Sequence, residues 1–146
     1  MKNSKNRKFT CKGINNALAI LESNRFNIIS IDILIDGRAN GHPRLKNLIY
    51  NHFVSQLSKD QFYKKHSESR TQGIIVEFSG KLIENKLPDF KNKSNICLLA
   101  LDQIEDPQNF GQIIRTADCA GINGILFPQH HSVPISQTVL QVSQGA

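Results

Sequence analysis

Apolar residues recur at helical spacing in the first 60 positions of the chain. After Gly13, four apolar residues fall on one face, which predicts a helix over about residues 13–24. A second apolar face follows Pro43 and predicts another helix, because proline is tolerated in a first turn. That face comprises Leu45, Leu48, Ile49, His52, Phe53 and Leu57. Ser58 and Gln61 have the spacing of a capping box, which predicts a short third helix ending near His66.

Two apolar, largely β-branched runs predict strands between these helices. The first covers residues 28–35 and stops at a turn signal, Asp36-Gly37, and the second covers residues 73–78. Helix, strand, helix, short helix and strand indicate a small α/β sandwich. We place this domain at 9–79, behind a basic, solvated arm at 1–8.

The pattern changes in the second half of the chain. Residues 80–95 are polar and show no sustained period, which indicates a linker. The continuous apolar run at 96–101 is typical of a strand covered on both faces. The elements predicted after it are a helix capped by Asn109, ending near Ala120 with Gly121 as its stop, a strand at 124–127 and a helix at 136–142.

A strand–helix–strand order with short connections predicts that the two strands are parallel. In parallel sheets, ligands bind beyond the carboxyl ends of the strands. The loop at 102–109 is therefore the expected ligand-binding edge. Only two strands are predicted after the linker, whereas a parallel sheet covered on both faces usually has more. We therefore expect the domain at 96–146 to be partial.

The two halves of the chain differ in net charge more than the total of +6 suggests. Residues 1–94 hold 17 Lys and Arg against 8 Asp and Glu, a net charge of +9. Residues 95–146 hold one cation, Arg115, against four acidic residues, a net charge of −3. A basic first half attracts polyanions such as nucleic acid, although excess lysine also serves solubility.

Several classes of protein are disfavoured by composition. The chain lacks the apolar run of a membrane helix or a secretory signal, and its three cysteines do not form a disulfide framework or a metal-binding pattern. We expect a reduced, cytoplasmic protein without a metal site. His130-His131 receives no role, and Cys119 is interpreted as a small core residue. Glycine-rich loops that hold dinucleotides or nucleoside triphosphates are missing from the sequence.

The segment from Leu101 to Ile125 carries the chemistry. It contains Asp106-Pro107-Gln108-Asn109-Phe110-Gly111, then Ile113-Ile114-Arg115-Thr116-Ala117, and Gly121 near the predicted helix end. This segment closely resembles the first signature motif of the SpoU (TrmH-like) group of SPOUT methyltransferases. Upstream, Gly13-Ile14-Asn15-Asn16-Ala17-Leu18 resembles the opening of the small substrate-binding domain of that family, a fold shared with RNA-binding ribosomal proteins. Arg70-Thr71-Gln72-Gly73-Ile74 resembles its closing segment, with Thr71 where the family usually has His.

The resemblance implies transfer of a methyl group from S-adenosylmethionine to a ribose 2′-OH in structured RNA. It points to guanosine in 23S-type ribosomal RNA rather than transfer RNA, and to Arg115 and Asn109 as catalytic residues. Arg115 could act as a base or could clamp a phosphate and stabilise the developing alkoxide; a guanidinium is a poor proton acceptor at neutral pH. Taken singly, Asp106-Pro107, Asn109 and Gly121 are common architectural residues, and only their joint spacing favours function.

The resemblance also implies where the methyl donor binds. In the family, the donor lies in a knotted carboxyl-terminal region formed by two further motifs, and neither motif occurs here. The implied fold is thus a ribosomal-protein-like α/β domain followed by the first half of a parallel-sheet α/β-knot domain. We expect the donor-binding residues beyond Ala146, no methylation by this chain alone, and a homodimer for the full-length protein. The alternative is an RNA-binding module without catalysis.

Overall fold

The computed structural model describes residues 7–67, 70–90 and 95–146, and it divides into two compact units. The first unit runs to Lys81 and the second starts at Leu82. Their elements are, in chain order, β1 (Lys8–Lys12), α1 (Ile14–Ser23), β2 (Asn27–Leu34), α2 (Pro43–Ile49), β3 (Val54–Leu57), α3 (Lys59–Lys65), β4 (Ile74–Ser79), β5 (Leu98–Ala100), α4 (Pro107–Cys119), β6 (Gly124–Leu126) and α5 (Gln137–Ser143). No helix in the described ranges is long and apolar enough to cross a bilayer.

The first unit is built on a four-stranded sheet in the order β1-β4-β2-β3. Strand β4 is antiparallel to both β1 and β2, whereas β2 and β3 are parallel. The predicted helix at 13–24, the strands at 28–35 and 73–78 and the capped third helix are confirmed as α1, β2, β4 and α3. The capping box of α3 is complete, because Ser58 Oγ accepts from Gln61 N–H and Gln61 Oε1 accepts from Ser58 N–H.

Two strands of this sheet differ from the sequence prediction. The apolar face assigned to one helix as far as Leu57 was wrong beyond Tyr50, because α2 ends at Ile49 and residues 54–57 form β3. The expected arm at 1–8 was wrong at its last residue, since Lys8 begins β1 and pairs with Ser79. Both strands lie at sheet edges and gain their backbone hydrogen bonds from β2 or β4, a tertiary effect that local periodicity does not reveal. The rest of the arm, 1–6, lies outside the described residues.

The core of the first unit lies on both faces of the central strands. Three consecutive residues of β4, Ile74, Ile75 and Val76, are all buried, so the strand does not alternate between core and solvent. Other fully buried side chains of this core are Ile31, Ile33, Leu45, Phe62 and Phe78. Burial of each such side chain contributes about 1.5–3 kcal/mol relative to exposure. Helix α1 contacts β1 and β4, and α3 contacts β2 and β3.

The second unit contains a parallel pair of strands and two packed helices. The register of β5 and β6 pairs Leu98 with Gly124 and Ala100 with Leu126, which confirms the predicted parallel pairing. Phe110 of α4 and Val139 of α5 are buried, and the Phe110 ring meets the Phe127 ring edge to face at 5.0 Å. These contacts hold α4 against α5 and against Phe127, which follows β6.

Three expectations for the second unit were wrong in detail. Asp106, not Asn109, caps α4, because Pro107 occupies the first helical position and its fixed φ starts the helix there. Strand β5 is half-buried rather than covered on both faces, since β6 is its single partner in the described part of the chain. Cys119 is exposed at the end of α4 and is no core residue. Within the expected linker, residues 80–90 contain no helix or strand, and 91–94 lie outside the described residues.

Candidate functional site

The loop between β5 and α4 lies beyond the carboxyl end of β5. Asp106 Oδ1 accepts a hydrogen bond from Gln108 N–H at 2.7 Å and so satisfies an open donor of the first turn. The loop is also anchored by its backbone, because Ile104 O accepts from Val133 N–H at 2.7 Å. The first turn of α4 is therefore fixed by a cap, a proline and a loop contact.

Asn109 and Arg115 both lie on α4 with exposed side chains. They are six positions apart, which corresponds to about 9 Å along a helix axis and about 120° around it. The helix alone therefore places them on different faces. The structure does not bring the two side chains together, and any shared substrate would have to span both faces of the helix.

Asn109 lines a groove of about 560 Å³ along one face of α4. Gln112 and Thr116 continue this face at helical spacing, and the Thr116 hydroxyl donates to Gln112 O at 2.9 Å. The remaining lining side chains are apolar: Leu99, Ile104, Ile113, Ala117, Ala120 and Ile122. Arg115 lies outside this groove.

Arg115 has an unusual electrostatic setting. It is the single Lys or Arg among residues 95–146, and it has no hydrogen-bond or ion-pair partner among the described residues. Asp118 lies one turn later on the same helix but makes no salt bridge with it. A guanidinium with its donors uncommitted is suited to bidentate contact with a phosphate.

Two glycines of the second unit shape helix α4 and its contact with α5. A Cβ on Gly111 would lie 2.6 Å from Val142 Cβ, so this glycine permits close approach of α5. Gly121, at φ +72°, ends α4 as predicted: its N–H binds Asp118 O, and Ile122 N–H binds Ala117 O, the two bonds of a Schellman motif.

Residues 70–74 contact the start of α1 and the turn after β2. Gln72 Oε1 accepts from Ile14 N–H at 2.8 Å and caps α1, whose own N-cap residue, Gly13, has no side chain to do so. Gly73 and Gly37 approach so closely that a Cβ on either would lie 3.0 Å from the other's Cα. Buried Thr71 accepts from Gly73 N–H through its hydroxyl, which explains how threonine serves at this position. Sequence resemblance singled out this segment, but not its capping role.

A charged cluster in the first unit was missed by the sequence analysis. The buried Asp32 carboxylate of β2 lies 2.7 Å from Lys65 Nζ and 2.6 Å from His66 Nε2, which join it to the end of α3. Burial raises the pKa of Asp32, but the hydrogen bonds and charges of Lys65 and His66 outweigh it and hold that pKa below its usual value. An alternating Ser-Ile-Asp-Ile strand carries no signal for this cluster, because its partners are more than 30 residues away.

The thiols and histidines form no further site in the part of the chain that the structure describes. Burial raises the pKa of the Cys11 thiol to about 12, so this cysteine is unreactive at neutral pH. No group of three or more His, Cys, Asp or Glu side chains with metal-binding geometry occurs within the described ranges. His130 and His131 lie in the exposed segment between β6 and α5.

Comparison with known proteins finds similarity to RNA methyltransferases. Residues 97–146 match the SpoU rRNA methylase family. The chain is 46% identical over 71 residues to an uncharacterised tRNA/rRNA methyltransferase of Borreliella burgdorferi, covering 49% of this chain and 31% of that protein. It is 39% identical over 113 residues to the 23S rRNA (guanosine-2′-O-)-methyltransferase RlmB of Blochmanniella floridana, covering 70% of this chain and 44% of that protein.

Solved structures of methyltransferases share the fold. The AdoMet-bound rRNA methyltransferase of Sinorhizobium meliloti superposes with a TM-score of 0.65 at 20% identity, over 95% of this chain and 51% of its own. The SpoU methyltransferase AviRb of Streptomyces viridochromogenes, in complex with AdoMet, gives a TM-score of 0.64 at 15% identity, over 94% of this chain and 51% of its own. The chain thus spans about half the length of these structures and less than half of the curated relatives.

Proposed function

We propose that this chain is part of an RNA 2′-O-methyltransferase that transfers a methyl group from S-adenosylmethionine to the ribose of a guanosine in ribosomal RNA, in the cytoplasm. The observation that carries the proposal is the match of residues 97–146 to the SpoU family, with an unpartnered Arg115 on the helix of its first motif. The likeness to RlmB supports guanosine in 23S rRNA as the target, and the AdoMet-bound structures support the donor.

Arg115 acts in this proposal by clamping the RNA backbone. Its side chain is exposed and has no partner in the described ranges, so its five donors are available for a phosphate. A role as proton acceptor would require surroundings that strongly disfavour the charged guanidinium. A fixed cation near the ribose would also stabilise the alkoxide that forms as the 2′-hydroxyl loses its proton.

Asn109 serves the same reaction from the groove face of α4. Its amide can donate to and accept from a ribose or a base edge, and the cap at Asp106 holds the turn that carries it. Because Asn109 and Arg115 lie on different faces, we propose that the substrate strand crosses the helix, with its ribose at Asn109 and a neighbouring phosphate at Arg115.

Residues that bind the donor lie, on this proposal, outside these 146 residues. The matched structures that hold AdoMet are about twice as long as this chain, which supports a donor site in the part that they have in addition. Calorimetric titration with S-adenosylmethionine should give no heat of binding with this chain and clear binding with a form extended by the remaining motifs of the family. Binding by the 146-residue chain would contradict this assignment.

Turnover by the extended protein tests the role of Arg115. Methyl transfer to 23S rRNA, measured with labelled S-adenosylmethionine, should fall at least about 100-fold in kcat for Arg115→Ala. Asp118→Ala, one turn later on the same exposed helix, is the matched control and should retain activity. Full turnover by Arg115→Ala would refute the proposal for this residue.

The pH–rate profile of Arg115→Lys separates the two possible roles of the arginine. A phosphate clamp predicts reduced kcat with an unchanged pH dependence, because lysine retains the positive charge but loses bidentate contact. A base role predicts a new rise of kcat with pH, because a lysine must lose its proton before it can accept one.

The second candidate is an RNA-binding module without catalysis. The charge of +9 over residues 1–94 favours it as well as the enzyme. Sequencing of the reading frame beyond Ala146 discriminates the two, because the enzyme requires the remaining family motifs. Homodimerisation, expected from the family, stays a prediction for the full-length protein.

A further inference from the structure

Two arginines of the first unit, Arg38 and Arg70, have no partner among the described residues. Both side chains are exposed, and neither makes a hydrogen bond or an ion pair there. The other arginines of this unit are engaged by neighbouring groups of the structure: Arg7, Arg25 and Arg44. An exposed side chain without a contact adds little to stability, so packing does not explain the two unpartnered arginines.

Backbone contacts place these two arginines on neighbouring loops. Arg38 precedes Ala39, whose N–H donates to Gln72 O at 3.2 Å. Arg70 is two positions before Gln72 on the other loop. Bond lengths along this path limit the separation of the two arginine Cα atoms to about 18 Å. One strand of a nucleic-acid helix carries about five phosphates over that length, so a single strand could contact both arginines.

Gln72 adds a third donor to the junction of these loops. Its Oε1 accepts from Ile14 N–H at 2.8 Å, and this bond fixes the orientation of the amide. The Nε2 group has no partner in the described ranges, so its N–H donors are left over. The unpartnered groups of Arg38, Arg70 and Gln72 are therefore all hydrogen-bond donors, and we call these three side chains the loop-junction donors.

The backbone of Arg70 has a conformation that favours other residue types. Its φ is +65°, in the left-handed region where glycine and asparagine are the usual occupants. An arginine at this position costs stability, and its side chain makes no contact in the described ranges that would offset the cost. A ligand explains the arginine better than the fold does.

The charges on these loops favour an anionic ligand. The loops at 35–40 and 70–74 hold one acidic residue, Asp36, against the two arginines. Asp36 is exposed and makes no ion pair with Arg38 in the described ranges, so the guanidinium remains available. Guanidinium groups bind phosphate through two parallel hydrogen bonds, and the net charge of +9 over residues 1–94 attracts a polyanion to this unit.

We propose that the loop-junction donors bind phosphates along one strand of the substrate RNA. This inference rests on the proposed function, because it specifies which part of the first unit holds the RNA backbone. Contacts of this kind position a nucleic acid without reading its sequence. An acidic protein segment offers carboxylates to the same donors, and competition between RNA and polyglutamate distinguishes the two ligands.

Fluorescence anisotropy of the 146-residue chain with a labelled RNA hairpin tests this assignment. We expect Arg38→Ala/Arg70→Ala to weaken binding at least about tenfold and to lower the slope of log Kd against log salt by about 1.4–1.8, the share of two phosphate contacts. Lys46→Ala/Lys64→Ala is the matched control, because it removes two exposed cations of α2 and α3 that also have no partner in the described ranges. The control should keep the slope of the parent.

Three single variants separate binding from stability. Arg70→Asn should weaken RNA binding at least about threefold without lowering the thermal unfolding midpoint, because asparagine tolerates a positive φ better than arginine does. Gln72→Glu should retain the cap of α1 but weaken binding, since a carboxylate oxygen replaces the Nε2 donor. Asp36→Asn should strengthen binding about twofold, because it removes a charge that repels phosphate. Damage to the fold would not produce such a gain.

The outcomes separate this inference from the function on which it rests. Equal loss of affinity and slope in the two double variants would overturn the loop junction as the contact, while leaving RNA binding by the chain in place. Displacement of the hairpin by polyglutamate as readily as by unlabelled RNA would assign the donors to an acidic protein partner and also overturn it. No binding of the hairpin by the parent chain would contradict both the inference and RNA recognition by the first unit.

Discussion

Gly111→Ala should destabilise the second unit, although alanine is the better helix former. Gly111 lies inside α4, where replacement by alanine gains about 1 kcal/mol of helix propensity. The added Cβ, however, would lie 2.6 Å from Val142 Cβ and 3.1 Å from Val139 O of α5. Atoms attached directly to the backbone cannot move away by a rotamer change, so the two helices must separate.

The size of the effect follows from these distances. The approach to Val142 Cβ is about 0.8 Å shorter than the 3.4 Å at which ordinary contact begins. Overpacking of this kind costs about 1–3 kcal/mol. After the gain of about 1 kcal/mol in propensity, we expect a net loss of as much as about 2 kcal/mol in the free energy of unfolding of this unit. A matched control is Gly41→Ala, because no atom lies within 4 Å of its Cβ position and its φ is not positive.

A double-mutant cycle with Val142→Gly isolates the helix contact. Urea unfolding followed by circular dichroism gives the free energy for the parent, both single variants and the pair. With the side chain at 142 removed, Gly111→Ala should cost at least about 1 kcal/mol less than it does in the parent, because only the contact with Val139 O remains. An equal cost of Gly111→Ala in both backgrounds would refute the steric explanation for this glycine.

Three further predictions concern single polar side chains. Asp32→Asn should cost about 1–3 kcal/mol of unfolding free energy at pH 7. Because the folded-state pKa of Asp32 is lowered, its stabilisation is fully present above the unfolded pKa of about 3.9 and is lost as the pH falls through the folded pKa. Acid titration should therefore destabilise the variant less than the parent. Gln72→Ala should cost about 1 kcal/mol, measured by urea unfolding, because it leaves the first N–H of α1 uncapped, whereas Gln72→Glu should retain the acceptor and most of the stability. Asp106→Ala should cost about 0.5–2 kcal/mol and increase hydrogen exchange in the first turn of α4, and Asp106→Asn should restore the protection; an unchanged exchange rate in Asp106→Ala would contradict the cap.

Elements whose signals are local were predicted well from sequence. The capping box at Ser58, the helix stop at Gly121 and the apolar run of β4 each depend on residues within one or two turns. Strands β1 and β3 were missed because they are short edge strands whose hydrogen bonds come from residues more than 20 positions away. The periodicity of α2 continued by chance into β3, and nothing local marked the break at Tyr50.

The candidate site was predicted in its residues but not in its geometry. Motif spacing singled out Asn109 and Arg115, yet spacing alone does not show that six helical residues place the two side chains on different faces. The cap was assigned to Asn109, although an Asp before a proline is the stronger start signal, since proline at the first helical position needs no hydrogen-bond partner. Exposure of Phe53 could not be predicted, because its position fitted the apolar face assigned to one helix.

The motif of the second unit combines residues that shape helix α4 with one residue, Arg115, that has no such role. Asp106 and Pro107 start the helix, Gly111 admits α5, and Gly121 ends it, so each acts on the position of α4 rather than on a substrate. Arg115 has no such task, because it is exposed and has no partner in the described ranges. Arg115 lies on a helix that is fixed by these neighbours, and its side chain makes no contact of its own in the described ranges, so it can bind a ligand. This contrast within one helix is the physical reason to seek chemistry at Arg115 and stability effects at its neighbours.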